Sequence, residues 1–172
     1  MFKHYLNLSP AESQFYNTLV MSPWGFKLFY GLIADNLPIF GSRRRAYVML
    51  NGGIQSLAFI FLVANYSAGS IYLTCFILFI TSVNSAFLDV VVDAMMVSQS
   101  KSDSESGSED LQGLSWALLS IGGIIGSIVS AFFTEYLTPA HTFALCAVFS
   151  LVIVYSGYHI NPEVENYTCR RP

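Results

Sequence analysis

The chain has 172 residues, of which 53% are hydrophobic and only 11% charged, and its formal net charge is −3 at pH 7. A soluble domain carries about 25% charged residues, so this chain lacks the polar side chains to cover a water-facing surface, and it has no broad basic face for a nucleic acid. Cys75, Cys146 and Cys169 are too scattered for a disulfide framework or a metal site. No P-loop, hydrolase elbow or metal-ligand spacing appears, so neither a catalytic constellation nor a cofactor is expected.

Residues 1–13 hold no signal-type apolar core and read as an extramembrane or interfacial lead. Five segments follow that approach the roughly 20 apolar residues of a spanning helix: 14–37, 46–65, 71–97, 111–136 and 142–160. The first is the weakest, because it holds Ser22, Pro23 and Lys27. Pro23 removes a backbone donor and should kink it near its start. Between the first two segments, Asp35 at a helix end is followed by a turn with Pro38 and Gly41, then by Arg43, Arg44 and Arg45. An acid and a basic cluster between apolar runs mark a cytoplasmic loop of a polytopic membrane protein.

With those arginines inside, the amino terminus and the connections 66–70 and 137–141 lie outside, while 98–110 and the tail 161–172 lie inside. Five spans with an external, unsignalled amino terminus lead to the expectation that a preceding helix is missing. The stretch 98–110, SQSKSDSESGSED, is too polar to bury apolar surface and is expected to be a disordered linker. The expected fold is therefore all-α, a multi-pass helical bundle in the bilayer.

Charged and polar residues inside the apolar runs are the candidate functional groups. Asp89 and Asp93 stand four residues apart in the third segment and share one helix face with Thr81 and Ser85. A charge in a bilayer core costs roughly 2.5–3.5 kcal/mol on insertion scales, so the two acids must meet water, a cation, a proton or a base. Lys27 in the first segment is the natural partner for Asp89. Two readings stay open: a polar pathway for a proton or solute, and a structural ion pair. Asn51 and Gln55 repeat the four-residue spacing in the second segment, where interhelical hydrogen bonds and solute contacts explain them equally well. Gly122, Gly123 and Gly126 give the fourth segment a small-residue face suited to close helix packing. Trp24 and Trp116 read as interfacial anchors.

Three blocks of these residues resemble the folate–biopterin transporter family of the major facilitator superfamily. The block Ser22-Pro-Trp-Gly-Phe-Lys27, Tyr30-Gly31, Asp35, Pro38-Ile-Phe-Gly41 and Arg43-Arg-Arg45 is similar to the family's loop between helices two and three. Asp89-Val-Val-Val-Asp93 is similar to its paired-acid signature, and Leu111-Gln112, Trp116 and Gly122-Gly123 with Gly126 to the start of helix five. The resemblance implies a two-bundle carrier working by alternating access on a folate or pterin-class solute, with proton coupling plausible. This chain would supply helices two to six, part of one six-helix bundle, and would need helix one and the second bundle, or a partner chain. Gly31, Asp35, Gly41 and Arg43–Arg45 would form the cytoplasmic gate; Lys27, Asp89, Asp93, Asn51 and Gln55 would line the pathway. A non-transporting membrane protein that recruits a partner through the serine-rich stretch, and an incomplete gene product without activity, are the alternatives.

Overall fold

A computed structural model describes residues 9–37, 44–65, 70–100 and 107–160, and every regular element among them is helical. The first helix, α1 (Pro10–Met21), begins at a capping box: the Ser9 hydroxyl accepts from the Glu12 backbone N–H, and the Glu12 carboxylate accepts from the Ser9 backbone and hydroxyl. Hydrogen bonds from the Ser9 hydroxyl, and then from its backbone, hold the Glu12 carboxyl below the usual carboxylate range. Pro10 fits the first helical turn, where its missing N–H has no partner to lose. A 3₁₀ stretch, Ser22–Phe26, then breaks the α-helical hydrogen-bond pattern at Pro23, and α2 (Lys27–Asn36) resumes it. The interruption expected at Pro23 takes the form of this 3₁₀ stretch. It falls near the middle of the segment, because the helix starts at Pro10, upstream of residue 14.

The remaining helices are α3 (Arg45–Ala64), α4 (Ile71–Ser100), α5 (Gly107–Tyr136) and α6 (Pro139–His159). These four are long and apolar enough to cross a membrane; the first segment, divided by its 3₁₀ stretch, supplies no single helix of that length. Helices α4 and α5 have 30 residues each, or about 45 Å of helix, against a hydrocarbon core about 30 Å thick. Both therefore extend well beyond a bilayer core. They also narrow the expected linker 98–110, since α4 runs to Ser100 and α5 starts at Gly107; 101–106 lie outside the described residues.

Helix α4 is the central element. The first segment lies along it in parallel: Tyr16 sits beside Tyr72 and Cys75 at one end, while Lys27 and Gly31 meet Asp89 and Val90 near the other. Helix α3 runs antiparallel to α4 and packs most closely on α6. Where α3 meets α6, a Cβ added at Gly52 would lie 2.9 Å from Val154 Cγ2 and 3.2 Å from the Val154 backbone nitrogen. One added at Gly157 would lie 3.0 Å from Met49 Cγ and from Val48 Cγ1. Two glycines thus let these backbones approach as in other small-residue membrane helix contacts. Further along, Phe59 stacks on Phe143 with centroids 6.3 Å apart.

Two apolar clusters hold the bundle. One joins Ala34, Tyr47, Val48 and Val91 near the α2–α3 connection, and the other joins Leu62, Ile77 and Phe143 toward the opposite end. Helix α5 stands at the edge with none of its apolar window buried. No atom lies within 4 Å of a Cβ built at Gly122, Gly123 or Gly126, so the expected close packing on this face has no partner among the described residues. Gly122→Ala and Gly126→Ala are accordingly expected to leave the chain as stable as before or more so, since alanine outranks glycine in an open helix by about 1 kcal/mol. A thermal melt followed by circular dichroism in detergent checks this; a lower melting temperature in both would show a contact that the fold lacks.

Candidate functional site

The site grows from the four-residue stripe on α4. Thr81, Ser85, Asp89 and Asp93 follow one another at one turn each, so α4 presents them along one face. The upper part of the stripe turns toward α3: Gln55 donates from Nε2 to the Ser85 hydroxyl at 3.2 Å. One turn on, the stripe turns toward the first segment, where Lys27 Nζ donates to Asp89 Oδ2 in an ion pair. The two helices run in parallel, which brings the charges to equal depth: Lys27 lies 17 residues beyond Pro10 and Asp89 18 beyond Ile71. Both distances are about 27 Å of helix. Asp93 lies one turn further along α4 and is exposed.

Lys27 has a second neighbour. Its ammonium sits over the Trp24 ring at 4.6 Å from the centroid, a cation–π contact that strengthens when water is excluded. The 3₁₀ stretch makes this possible, because it places Trp24 one turn before Lys27 inside the segment. Trp24 is therefore a companion of the charged pair, in the middle of the segment and not at its end. The side chains of Lys27 and Asp89 keep 38% and 31% of their exposure in the chain. The pair is thus open on one side to whatever adjoins the bundle.

The other expected pathway residues divide. Asn51 is buried but donates to the Tyr47 carbonyl of its own helix at 2.9 Å, and so makes no bridge to another helix. Gln55 does make one, and its Oε1 remains buried without a hydrogen-bond partner, as do Asn84 Nδ2 and Ser82 Oγ. Buried polar atoms are nearly always satisfied, so α4 and its neighbours hold donors and acceptors beyond those they use. Asn84 and Ser82 lie off the Thr81–Asp93 stripe, and their burial is set by helix packing, which the four-residue spacing does not reveal.

The expected gate loop is described in part. Gly31 sits on α4, with an added Cβ in ordinary contact with Val90 at 3.5 Å. Asp35 lies in the last turn of α2. Gly41 and Arg43 lie outside the described residues, Arg44 occupies the N-cap of α3, and Arg45 places its guanidinium over the Tyr158 ring of α6 at 5.2 Å. Tyr47 ties the end of α2 to α3: its hydroxyl donates to the Leu37 carbonyl at 2.6 Å, and its ring packs on Phe87, which also meets Tyr30. This aromatic ladder ties α2, α3 and α4 together beside the charged pair. Among the described residues no group of His, Cys, Asp or Glu is placed to hold a metal ion.

Four apolar helices of membrane-spanning length, one of them carrying an aspartate paired with Lys27 of the first segment, define an all-α, multi-pass integral membrane protein. The chain belongs to the BT1 family, whose model it matches over residues 1–168. It is 33% identical over 159 residues to a folate-biopterin transporter of Synechocystis sp., covering 92% of this chain and 32% of that protein. It is 32% identical over 148 residues to the probable folate-biopterin transporter 4 of Arabidopsis thaliana, covering 85% and 30%. With the folate transporter 1 of Plasmodium falciparum it shares 27% over 168 residues, covering 98% and 33%. The chain spans about a third of the length of the curated relatives it matches. No solved structure matches it.

Proposed function

We propose that this chain forms part of a membrane carrier, not an enzyme, that moves folate or pterin-class solutes by alternating access. Proton coupling through its acid stripe is part of the reading. The observation that carries it is the Lys27–Asp89 pair with Asp93 one turn beyond. Ionisable groups inside apolar helices mark ion and substrate pathways, and this pair is neither fully buried nor shielded on its open side. The names of the family's folate and biopterin carriers support the solute class. Folates and pterins bring polar ring edges and, in folates, carboxylates; Lys27 would meet a carboxylate when its bond to Asp89 opens. Asp93 would then take or release a proton near the interface. Gly31, Asp35, Gly41 and Arg43–Arg45 would gate the cytoplasmic side. The carrier would need further helices beside these, from the same chain or from a partner.

The test is uptake of labelled folate and of biopterin by a transport-deficient host expressing the chain in its native reading frame. Asp93→Asn is expected to abolish saturable uptake while membrane insertion and helicity persist, because Asp93 holds no ion pair among the described residues. Normal uptake by Asp93→Asn and by the Lys27→Met/Asp89→Asn double variant would remove the charges from the mechanism. Absence of uptake for both compounds by the unaltered protein would remove the solute class.

A further inference from the structure

Helix α3 has two apolar faces. One, with Tyr47, Val48, Gly52 and Ser56, is buried in the bundle. The other steps by three and four residues through Met49, Leu50, Gly53, Ile54 and Leu57, the spacing of a single helix face. It stays open, with Leu50 40%, Ile54 45% and Leu57 68% exposed. Together with Val154 of α6 these residues line a groove of about 640 Å³ that has Arg45 at its end. Gly53 deepens the floor, since nothing lies within 4 Å of the position its Cβ would take. The Tyr158 ring holds the Arg45 guanidinium at the mouth, and no carboxylate pairs with it among the described residues.

From Arg45 to Leu57 the groove follows α3 for about 18 Å, slightly more than the roughly 15 Å of one leaflet of the hydrocarbon core. It is apolar along that depth, with a cation where the headgroups lie. This is the shape and charge pattern of a phospholipid lying along the helix, its acyl chain on the floor and its phosphate at the arginine. The basic cluster marks this end of α3 as cytoplasmic, and the cytoplasmic leaflet is the one rich in anionic lipid. We infer that this groove binds an anionic phospholipid, with Arg45 selecting the headgroup and the Gly53 floor receiving the acyl chain. The site lies on the face of α3 turned away from the Lys27–Asp89 pair and does not depend on the solute.

The experiment uses the protein expressed in its native reading frame and purified in mild detergent. It is titrated with phosphatidylserine and with phosphatidylcholine of the same acyl chains, and retained lipid is read by native mass spectrometry. One arginine near the headgroups is expected to favour phosphatidylserine about fivefold. Arg45→Gln should erase that preference and Arg45→Lys keep it. Gly53→Phe, which fills the groove from an open position, should weaken retention of both lipids with helicity unchanged. Equal retention of the two lipids by the unaltered protein overturns the inference. So does Gly53→Phe leaving retention unchanged, or a dimer that forms as lipid leaves, which would give the groove to a second copy.

Discussion

Asp89→Leu alone is expected to destabilise the chain by about 2 kcal/mol, and the Lys27→Met/Asp89→Leu double variant to recover most of that loss. Removing one partner of a buried pair costs roughly 3–5 kcal/mol, because the other charge is left without compensation. Here each side chain keeps about a third of its exposure, and partial access to solvent lowers the figure. In the single variant Lys27 retains only the Trp24 face, which is worth about 1 kcal/mol for a partly exposed cation. In the double variant neither charge needs hydration, and two apolar side chains replace them between α2 and α4. Equilibrium unfolding in mixed detergent micelles, run as a double-mutant cycle, measures the coupling. Additive effects of the two single changes would show that the pair contributes no energy of its own.

Gly52→Ala is expected to destabilise the chain by about 1–3 kcal/mol, the range for overpacking a close contact, while Gly53→Ala leaves it unchanged or slightly firmer. The two residues are adjacent, equal in helix propensity and equal in chemistry. They differ in direction. The Gly52 Cβ would meet Val154 Cγ2 at 2.9 Å, the Val154 backbone nitrogen at 3.2 Å and Ile153 Cγ2 at 3.3 Å, whereas the Gly53 Cβ would meet nothing within 4 Å. A methyl group at position 52 must push against the α6 backbone, which moves only if the two helices separate. The same micelle unfolding compares the variants. Equal stability of Gly52→Ala and Gly53→Ala would mean that α3 and α6 are not in close contact.

Much of the architecture was legible because a bilayer leaves the chain few options. A backbone in hydrocarbon must satisfy its own hydrogen bonds, so long apolar runs become helices, and α3, α4, α5 and α6 lie where the apolar runs lie. The charged pair was legible for a related reason. A lysine and an aspartate inside apolar segments each need a counter-charge, and few are on offer. Their depths could be matched because the two segments enter from the same side. The loop ends were less legible: α4 and α5 extend into the serine-rich stretch, since nothing in a polar sequence forbids helix outside the membrane.

The sequence by itself determined that this is a bundle of membrane helices, roughly where four of them run, and that Lys27 is a natural partner for Asp89. Composition and the cost of unpaired charge in hydrocarbon suffice for that. Only the tertiary structure decided which faces meet. The glycines of the G-x-x-x-G pair on α5 stand open, while Gly52 and Gly157 carry the closest contact. Asn51 bonds within its own helix and Gln55, one turn later, reaches α4. A four-residue spacing names the face of a helix but not its neighbour; the neighbour is set by the packing of all the helices at once.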